Sequence, residues 1–245
     1  MKKKIILSIV SLCIGSYLFA SDTASIIEFY QNKIKAVFPD AETKVDIVSI
    51  EKIPNMNFEK VIVNIKLGEQ EKQDIFFKQG NIIMPDIVDL KSQISYKEKF
   101  RNEIKIKNVK KIEKALLELA QKETKKISLG DKSKPEIYVF SDPECPYCRR
   151  HLAKIDNILK TNRIHFIFTT VHGESAFEKI ALIYKEASKA KDDNEKLKII
   201  KHYYDSKTTD YSKVDEKLIQ EAKDLLKKYS SAGLESVPTI IKAEK

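Results

Sequence analysis

The sequence predicts an α+β chain of two domains, a helix with an antiparallel meander and then, beyond a linker helix, a mixed α/β unit carrying a helical insertion. Three observations lead there. Only 6 Gly and 7 Pro stand against 45 Lys+Arg and 36 Asp+Glu, a balance that disfavours turn-dense all-β folds. The apolar residues recur first at three and four, then at two, then again at three and four. Between Pro85 and Gly130 neither Gly nor Pro occurs. At 245 residues, 42% of them hydrophobic, the chain is close to the size at which one core divides into two.

The opening helix is read from Asp22 to Phe38, where Ile26, Ile27, Phe29, Tyr30, Ile34, Val37 and Phe38 recur at three and four and Pro39 ends the run. Alternation then marks strands over Lys44 to Ile50, Phe58 to Leu67 and Lys72 to Lys78. A turn at Gln79-Gly80-Asn81 leads into a fourth, Ile82 to Leu90. These make a first domain of residues 21–93. A linker helix over 94–130 follows, with Phe100, Ile104, Ile112, Leu116 and Leu119 as its apolar stripe and a break expected near Asn108.

The second domain, 131–245, opens with the continuous apolar run Ile137-Tyr138-Val139-Phe140, bounded by a Lys-rich loop and by Ser141-Asp142-Pro143. Pro146 suits the first position of a helix, where its missing N–H would be orphaned anyway, and Cys148, Leu152, Ile155 and Leu159 continue one face. A second strand spans Ile164 to Thr170. Two helical segments, Ser175 to Lys201 and Asp215 to Tyr229, form an insertion over about 173–232, and a last strand covers Val237 to Ile241. Strand, helix, strand is the pattern of a parallel pair joined by a crossover helix.

Lys2, Lys3 and Lys4 precede an apolar run from Ile5 to Phe19, and Ala20 offers a small residue before the polar Ser21-Asp22. This is the layout of a cleavable secretory signal over 1–20; the run is short for a membrane span. The formal charge of +9 includes those three lysines, so the exported chain carries about +6, spread along its length. Lysines interleaved with acids and lacking an aromatic stacking pattern argue against a nucleic-acid partner. No G-x-S-x-G elbow surrounds Ser175, so a hydrolase built on Ser175 and His172 is disfavoured.

Of the 3 Cys, Cys13 is expected to leave with the signal, which leaves Cys145 and Cys148, too few for a disulfide framework. Cys145-Pro146-Tyr147-Cys148 sets two thiols one turn apart at a helix N-terminus directly after a buried strand. Orphan N–H groups and the helix dipole there stabilise a thiolate, the reactive form of cysteine. Cys145 at the exposed end is therefore read as the nucleophile, and Cys148, turned inward, as the thiol that resolves the mixed disulfide. Pro146 and Tyr147 between them tune the pair. A zinc half-site of Cys145, Cys148 and His151, completed by His165, His172 or His202, is disfavoured because structural sites favour a second Cys pair. No metal or organic cofactor is expected; the Cys145–Cys148 disulfide is itself the redox group. Arg149, Arg150 and His151 read as a solvated first turn.

Phe140-Ser141-Asp142-Pro143-Glu144-Cys145-Pro146-Tyr147-Cys148, after a signal, a meander domain and a linker helix, resembles the periplasmic disulfide isomerases of the DsbC/DsbG family. The resemblance covers nearly the whole exported chain in organisation and is specific around the dithiol and around Ser236-Val237-Pro238-Thr239. It implies a thioredoxin-like catalytic domain, an N-terminal domain of cystatin-like form and a V-shaped homodimer joined through those N-terminal domains. In that family a cis-proline loop lies against the active-site disulfide and pairs with substrate as an added strand. Pro238 is the matching position, so Val237 and Pro238 are implied as substrate-binding residues.

The implied function is thiol–disulfide isomerisation of unfolded or misoxidised exported proteins in the periplasm, with a membrane redox partner of DsbD or DsbB type. Val237 stands where the isomerases usually carry Thr, and Val is commoner in the oxidases of the DsbA type, so the direction of electron flow stays open. A chaperone-like holdase for unfolded chains is the alternative from another class. Only Thr239 to Lys245 follow Pro238, so by resemblance the domain is expected to lack its last strand and closing helix and to leave one apolar face exposed.

Overall fold

A computed structural model describes residues 14–209 and 213–243, with side chains from Thr23 onward. Met1 to Cys13, which hold the basic start and first part of the apolar run read as a signal, lie outside the described residues. No helix among the described residues is long and apolar enough to cross a membrane. The chain divides into two compact units, one ending at Ile106 and one beginning at Lys107.

In the first unit α1 (Ile14–Val37) precedes β1 (Thr43–Lys52), β2 (Glu59–Leu67), β3 (Gln70–Gln79) and β4 (Ile82–Met84), an antiparallel meander in the order β1-β2-β3-β4. Alternation places neighbours on opposite faces. Phe76, with Val45, Val61 and Val63, meets Ile26, Ile27, Tyr30 and Ile34 of α1, while Phe77, with Ile53, Ile62 and Ile75, meets Tyr96, Phe100 and Ile104. A bulge between Ile47 and Ser49 breaks the register of β1 and leaves Val48 exposed.

The fourth strand is shorter than its apolar run suggests. Pro85 cannot donate to the ladder, so β4 stops at Met84, and β5 (Val88–Asp89) pairs instead with β6 (Ile94–Ser95). The Asp86 carboxylate gathers Ser95 Oγ and the N–H groups of Ile87 and Lys97, and Ser95 Oγ accepts from Glu98 N–H at 3.1 Å. These contacts start α2 (Tyr96–Lys122), which runs without the break expected near Asn108 and ends eight residues short of the expected 130. Lys126 stops it by donating to the carbonyls of Ala120 and Gln121, and the residues beyond become a strand.

In the second unit that strand is β7 (Ile127–Leu129). It is followed by β8 (Glu136–Ser141), α3 (Pro146–Leu152), α4 (Ile155–Ile158), β9 (Arg163–Phe168), α5 (Glu174–Ala187), α6 (Asp193–Tyr204), α7 (Glu216–Ser231) and β10 (Thr239–Lys242). The sheet order is β10-β8-β9-β7, with β8 and β9 parallel across Ile137↔Ile164 to Ser141↔Phe168 and both outer strands antiparallel. The segment Ser175 to Lys201, read as one helix, is two, because Asp192 accepts from Glu195 N–H at 2.9 Å and caps α6.

One sheet face carries Val139, Phe166 and Phe168 against α3, α5 and α6. The other carries Tyr138, Phe140, Ile167 and Ile241, and it is not left open as expected. Leu116 and Ala120 of α2 and Leu225 and Tyr229 of α7 cover it.

Candidate functional site

The site forms where β8 passes into α3. Asp142, fully buried, organises the connection: its Oδ1 accepts from Glu144 N–H at 2.8 Å, and its Oδ2 accepts from Thr170 Oγ1 and lies against His172 Nδ1, each at 2.6 Å. Its carbonyl accepts from Cys145 N–H at 3.3 Å. Beside it Glu144 pairs with the buried Lys179 at 3.0 Å and accepts from Ser175 Oγ at 3.1 Å. The loop before the dithiol is thus held by side chains from the end of β9 and from α5.

Cys145 is the N-cap residue of α3, with extended backbone (φ −74°, ψ 122°), and Pro146 occupies the first turn. Arg149 N–H closes the first turn on the Cys145 carbonyl at 3.1 Å. The Cys145 Sγ is 3.6 Å from the Val237 carbonyl oxygen, and the Val237–Pro238 peptide bond is cis. The exposed position expected for Cys145 is corrected by this contact, since the loop leading into β10 lies over the sulfur and leaves the residue only 6% exposed. Tyr147 points outward, 65% exposed, and the Arg150 guanidinium stacks 4.3 Å from its ring centre. Arg149 does not belong to a solvated turn, because its Nε donates to the Pro143 carbonyl at 3.1 Å. Both ring nitrogens of His151 are buried without a hydrogen-bond partner, and burial, aided by Lys154, pushes its pKa down.

Cys148 is fully buried behind Cys145, and both are free thiols. Burial pushes the Cys148 thiol up to about 12. The nearby Ser141 side chain and Asp142 backbone act against that shift, and the adjoining Cys145 adds to it. The arrangement presents one sulfur at a helix N-terminus beneath a loop carbonyl and holds a second, fully buried, behind it. Two thiols so placed support exchange through a mixed disulfide on the first and its displacement by the second.

The fold therefore brings together four positions that the sequence singled out: Cys145, Cys148, Val237 and Pro238. Pro146 and Tyr147 line the exposed side. His165 lies apart, with Nδ1 2.7 Å from Ser128 Oγ and Nε2 3.3 Å from Glu136. Among the described residues no cluster of three His, Cys, Asp or Glu side chains is arranged to hold a metal. Sequence reasoning missed Ser141, Asp142, Glu144, Thr170 and Lys179, and also Tyr204, whose phenol donates to Ser141 Oγ at 2.6 Å. The one available signal was the polar pair Ser141-Asp142 at the end of an apolar strand, where buried polar groups must find partners.

Residues 120–244 match the family of thioredoxin-like domains. In fold the chain is similar to a solved structure of Helicobacter pylori DsbG, at 20% identity and a TM-score of 0.52, over 87% of this chain and 100% of that one. A linker-deleted variant of Proteus mirabilis ScsC also matches, at 17% identity over 58% of this chain and 77% of that one with a TM-score of 0.47. Wolbachia pipientis α-DsbA2 matches at 15% identity over 56% of this chain and 86% of that one, with a TM-score of 0.38. No curated protein matches the chain in sequence.

Proposed function

The chain belongs to the thioredoxin-like domain family, and on that premise we propose that it is an exported thiol–disulfide oxidoreductase acting on other proteins as a disulfide isomerase. The observation that carries the reading is the Cys145 thiol at the head of α3, 3.6 Å from the Val237 carbonyl, with Cys148 buried directly behind it. The Cys145 thiolate attacks a substrate disulfide, forms a mixed disulfide and releases one substrate thiol. A second substrate thiolate then attacks the substrate sulfur of the mixed disulfide, forming a new substrate disulfide and expelling the Cys145 thiolate, which restores the enzyme. Where none arrives, Cys148 displaces the substrate and the Cys145–Cys148 disulfide forms.

The basic, apolar N-terminus supports export to the periplasm, and a separate unit built on a four-stranded meander supports assembly as a homodimer over a shared cleft. Substrates are unfolded or misoxidised exported proteins, and Val237 and Pro238 receive their extended segments as an added strand. An isomerase must be kept reduced, which calls for a membrane electron donor of DsbD type.

Thiol trapping of the Cys145–Cys148 pair in intact cells is the test. A mostly reduced pair supports the isomerase, and a mostly oxidised pair assigns the same site to oxidation, recharged by a DsbB-type partner. Refolding of a scrambled disulfide substrate should require Cys145; if the unaltered chain does not refold it and suppresses aggregation equally well as Cys145→Ala, the chain acts as a holdase. Sedimentation of the full chain as a monomer would remove the support for the isomerase.

A further inference from the structure

Two residues of α5 hold Glu144, which one peptide bond joins to the nucleophile Cys145. Lys179 Nζ lies 3.0 Å from Glu144 Oε1, and Ser175 Oγ donates to Oε2 at 3.1 Å. The Glu144 N–H donates to Asp142 Oδ1 at 2.8 Å, so the backbone and the carboxylate of Glu144 are both anchored. Lys179 is 5% exposed, and of the buried residues of α5 it alone is charged, among Ala176, Phe177, Ile180 and Ile183. A cation in such a setting costs free energy unless it is paired, and an apolar pair of similar volume would dock α5 about as well. Docking therefore does not account for the lysine, and its partner does. A carboxylate one residue from a thiolate opposes it by a repulsion that reaches several ångströms in a part-buried setting, and a cation held on that carboxylate cancels it.

We propose that Lys179 is a positioning residue for the first half of the exchange, fixing and neutralising Glu144 so that the N-terminus of α3 stabilises the Cys145 thiolate unopposed. The inference rests on the oxidoreductase reading above. In the step, the Cys145 thiolate forms a bond to one substrate sulfur, the substrate S–S bond breaks, and the other substrate sulfur departs with the electron pair. That sulfur takes up a proton from water, equivalent to the one Cys145 has lost, and no outside oxidant or reductant enters. The other ionisable groups about the loop are Asp142 with His172 against it, Arg149 on the Pro143 carbonyl, and Cys148 behind Cys145.

Alkylation of Cys145 by iodoacetamide in a Cys148→Ser chain reads this thiolate alone. Lys179→Met keeps most of the side-chain volume and removes the cation, so the midpoint of its pH–rate profile should lie about 0.5 to 1 pH unit above that of the Cys148→Ser parent. Glu144→Gln leaves the cation facing the thiolate and should displace the midpoint downward. Combining the two substitutions should bring it back to within about 0.2 pH unit of the parent, and Lys179→Arg should hold it there. In the dithiol chain, Lys179→Met should move the equilibrium with glutathione about threefold to tenfold toward the Cys145–Cys148 disulfide, because the reduced form loses stabilisation. A pair that only docks α5 would, when broken from either side, loosen the same loop and displace both single variants in one direction. Midpoints that do not move, or that move the same way in both, overturn the proposal. If Lys179→Met does not fold, Glu144→Gln decides, and a midpoint that does not fall overturns the proposal. If the unaltered chain neither exchanges with glutathione nor refolds a scrambled disulfide substrate, the oxidoreductase reading falls and the proposal with it; if it does both and the displacements are absent, the proposal alone falls.

Discussion

The Cys145 sulfur and the Val237 carbonyl oxygen meet at 3.6 Å although 92 residues separate them in sequence. The meeting is a product of the sheet. β8 delivers Cys145 to its end, and β10, antiparallel to β8 with Thr239 opposite Phe140, starts beside that end. Every helix of the insertion lies between the two in sequence, so the site closes only when β10 has paired.

The unequal settings of the two thiols predict unequal variants. Cys145→Ser should abolish exchange with a protein disulfide. Cys148→Ser should still attack and should accumulate mixed disulfides that withstand a non-reducing gel, because the thiol that displaces them is gone. Equal adduct levels in the two variants would contradict the assigned roles.

Cys148 also predicts a pH dependence of stability in the reduced chain. Burial raises its thiol from 9.0 to about 12 on folding. The folded chain keeps a proton that the unfolded chain gives up, so the contribution is complete below about pH 9 and is lost as pH rises toward about 12. Urea unfolding between about pH 8 and about pH 10.5 should show the reduced chain losing more stability than Cys148→Ala, in which the tyrosines whose pKa values are raised remain. Parallel curves would show that the thiol does not titrate in the buried setting described.

The dithiol, the strand before it and the crossover helix were legible in the sequence because each has a local signature: an apolar run, a proline at a first helical turn, two thiols at helical spacing. The insertion was legible as helical but not as three helices, although Asp192 with Glu195 three residues on is a capping pattern in plain view. The Tyr204–Ser141 contact and the clamp on Asp142 were not legible, since Thr170, His172 and Tyr204 join the site through tertiary packing that no spacing encodes. The cover over Phe140 was missed for a different reason. Leu116 was read as part of a linker stripe, and a stripe does not say what it packs against.

Asp142 should matter to stability more than any other carboxylate of the site. Its removal strands Thr170 Oγ1 and Glu144 N–H, one of them in a buried residue, and frees His172. Asp142→Ala should lower the unfolding free energy by about 2 to 4 kcal/mol in urea titration, and Asp142→Asn, which keeps an acceptor oxygen, by less. A loss under about 0.5 kcal/mol for the alanine variant would mean that the clamp on the Cys145 loop is not formed in solution.

The second half of α2 should prove integral to the second unit. Leu116 is 2% exposed and belongs to the cluster of Tyr138, Phe140, Ile167 and Tyr229, so Leu116→Ala leaves a cavity beneath the sheet and should cost about 2 to 5 kcal/mol. Leu90, 89% exposed, provides the contrast: Leu90→Ala should stay within about 0.5 kcal/mol of the unaltered chain. The other side of the same contact is Gly233, which has φ +98° and would bring a Cβ within 3.1 Å of Ile112. Gly233→Ala strains both the backbone and this approach, and should cost more than about 1 kcal/mol. If Leu116→Ala and Gly233→Ala both prove neutral in urea unfolding, α2 does not cover this face, and the exposed apolar surface expected from the sequence is present after all.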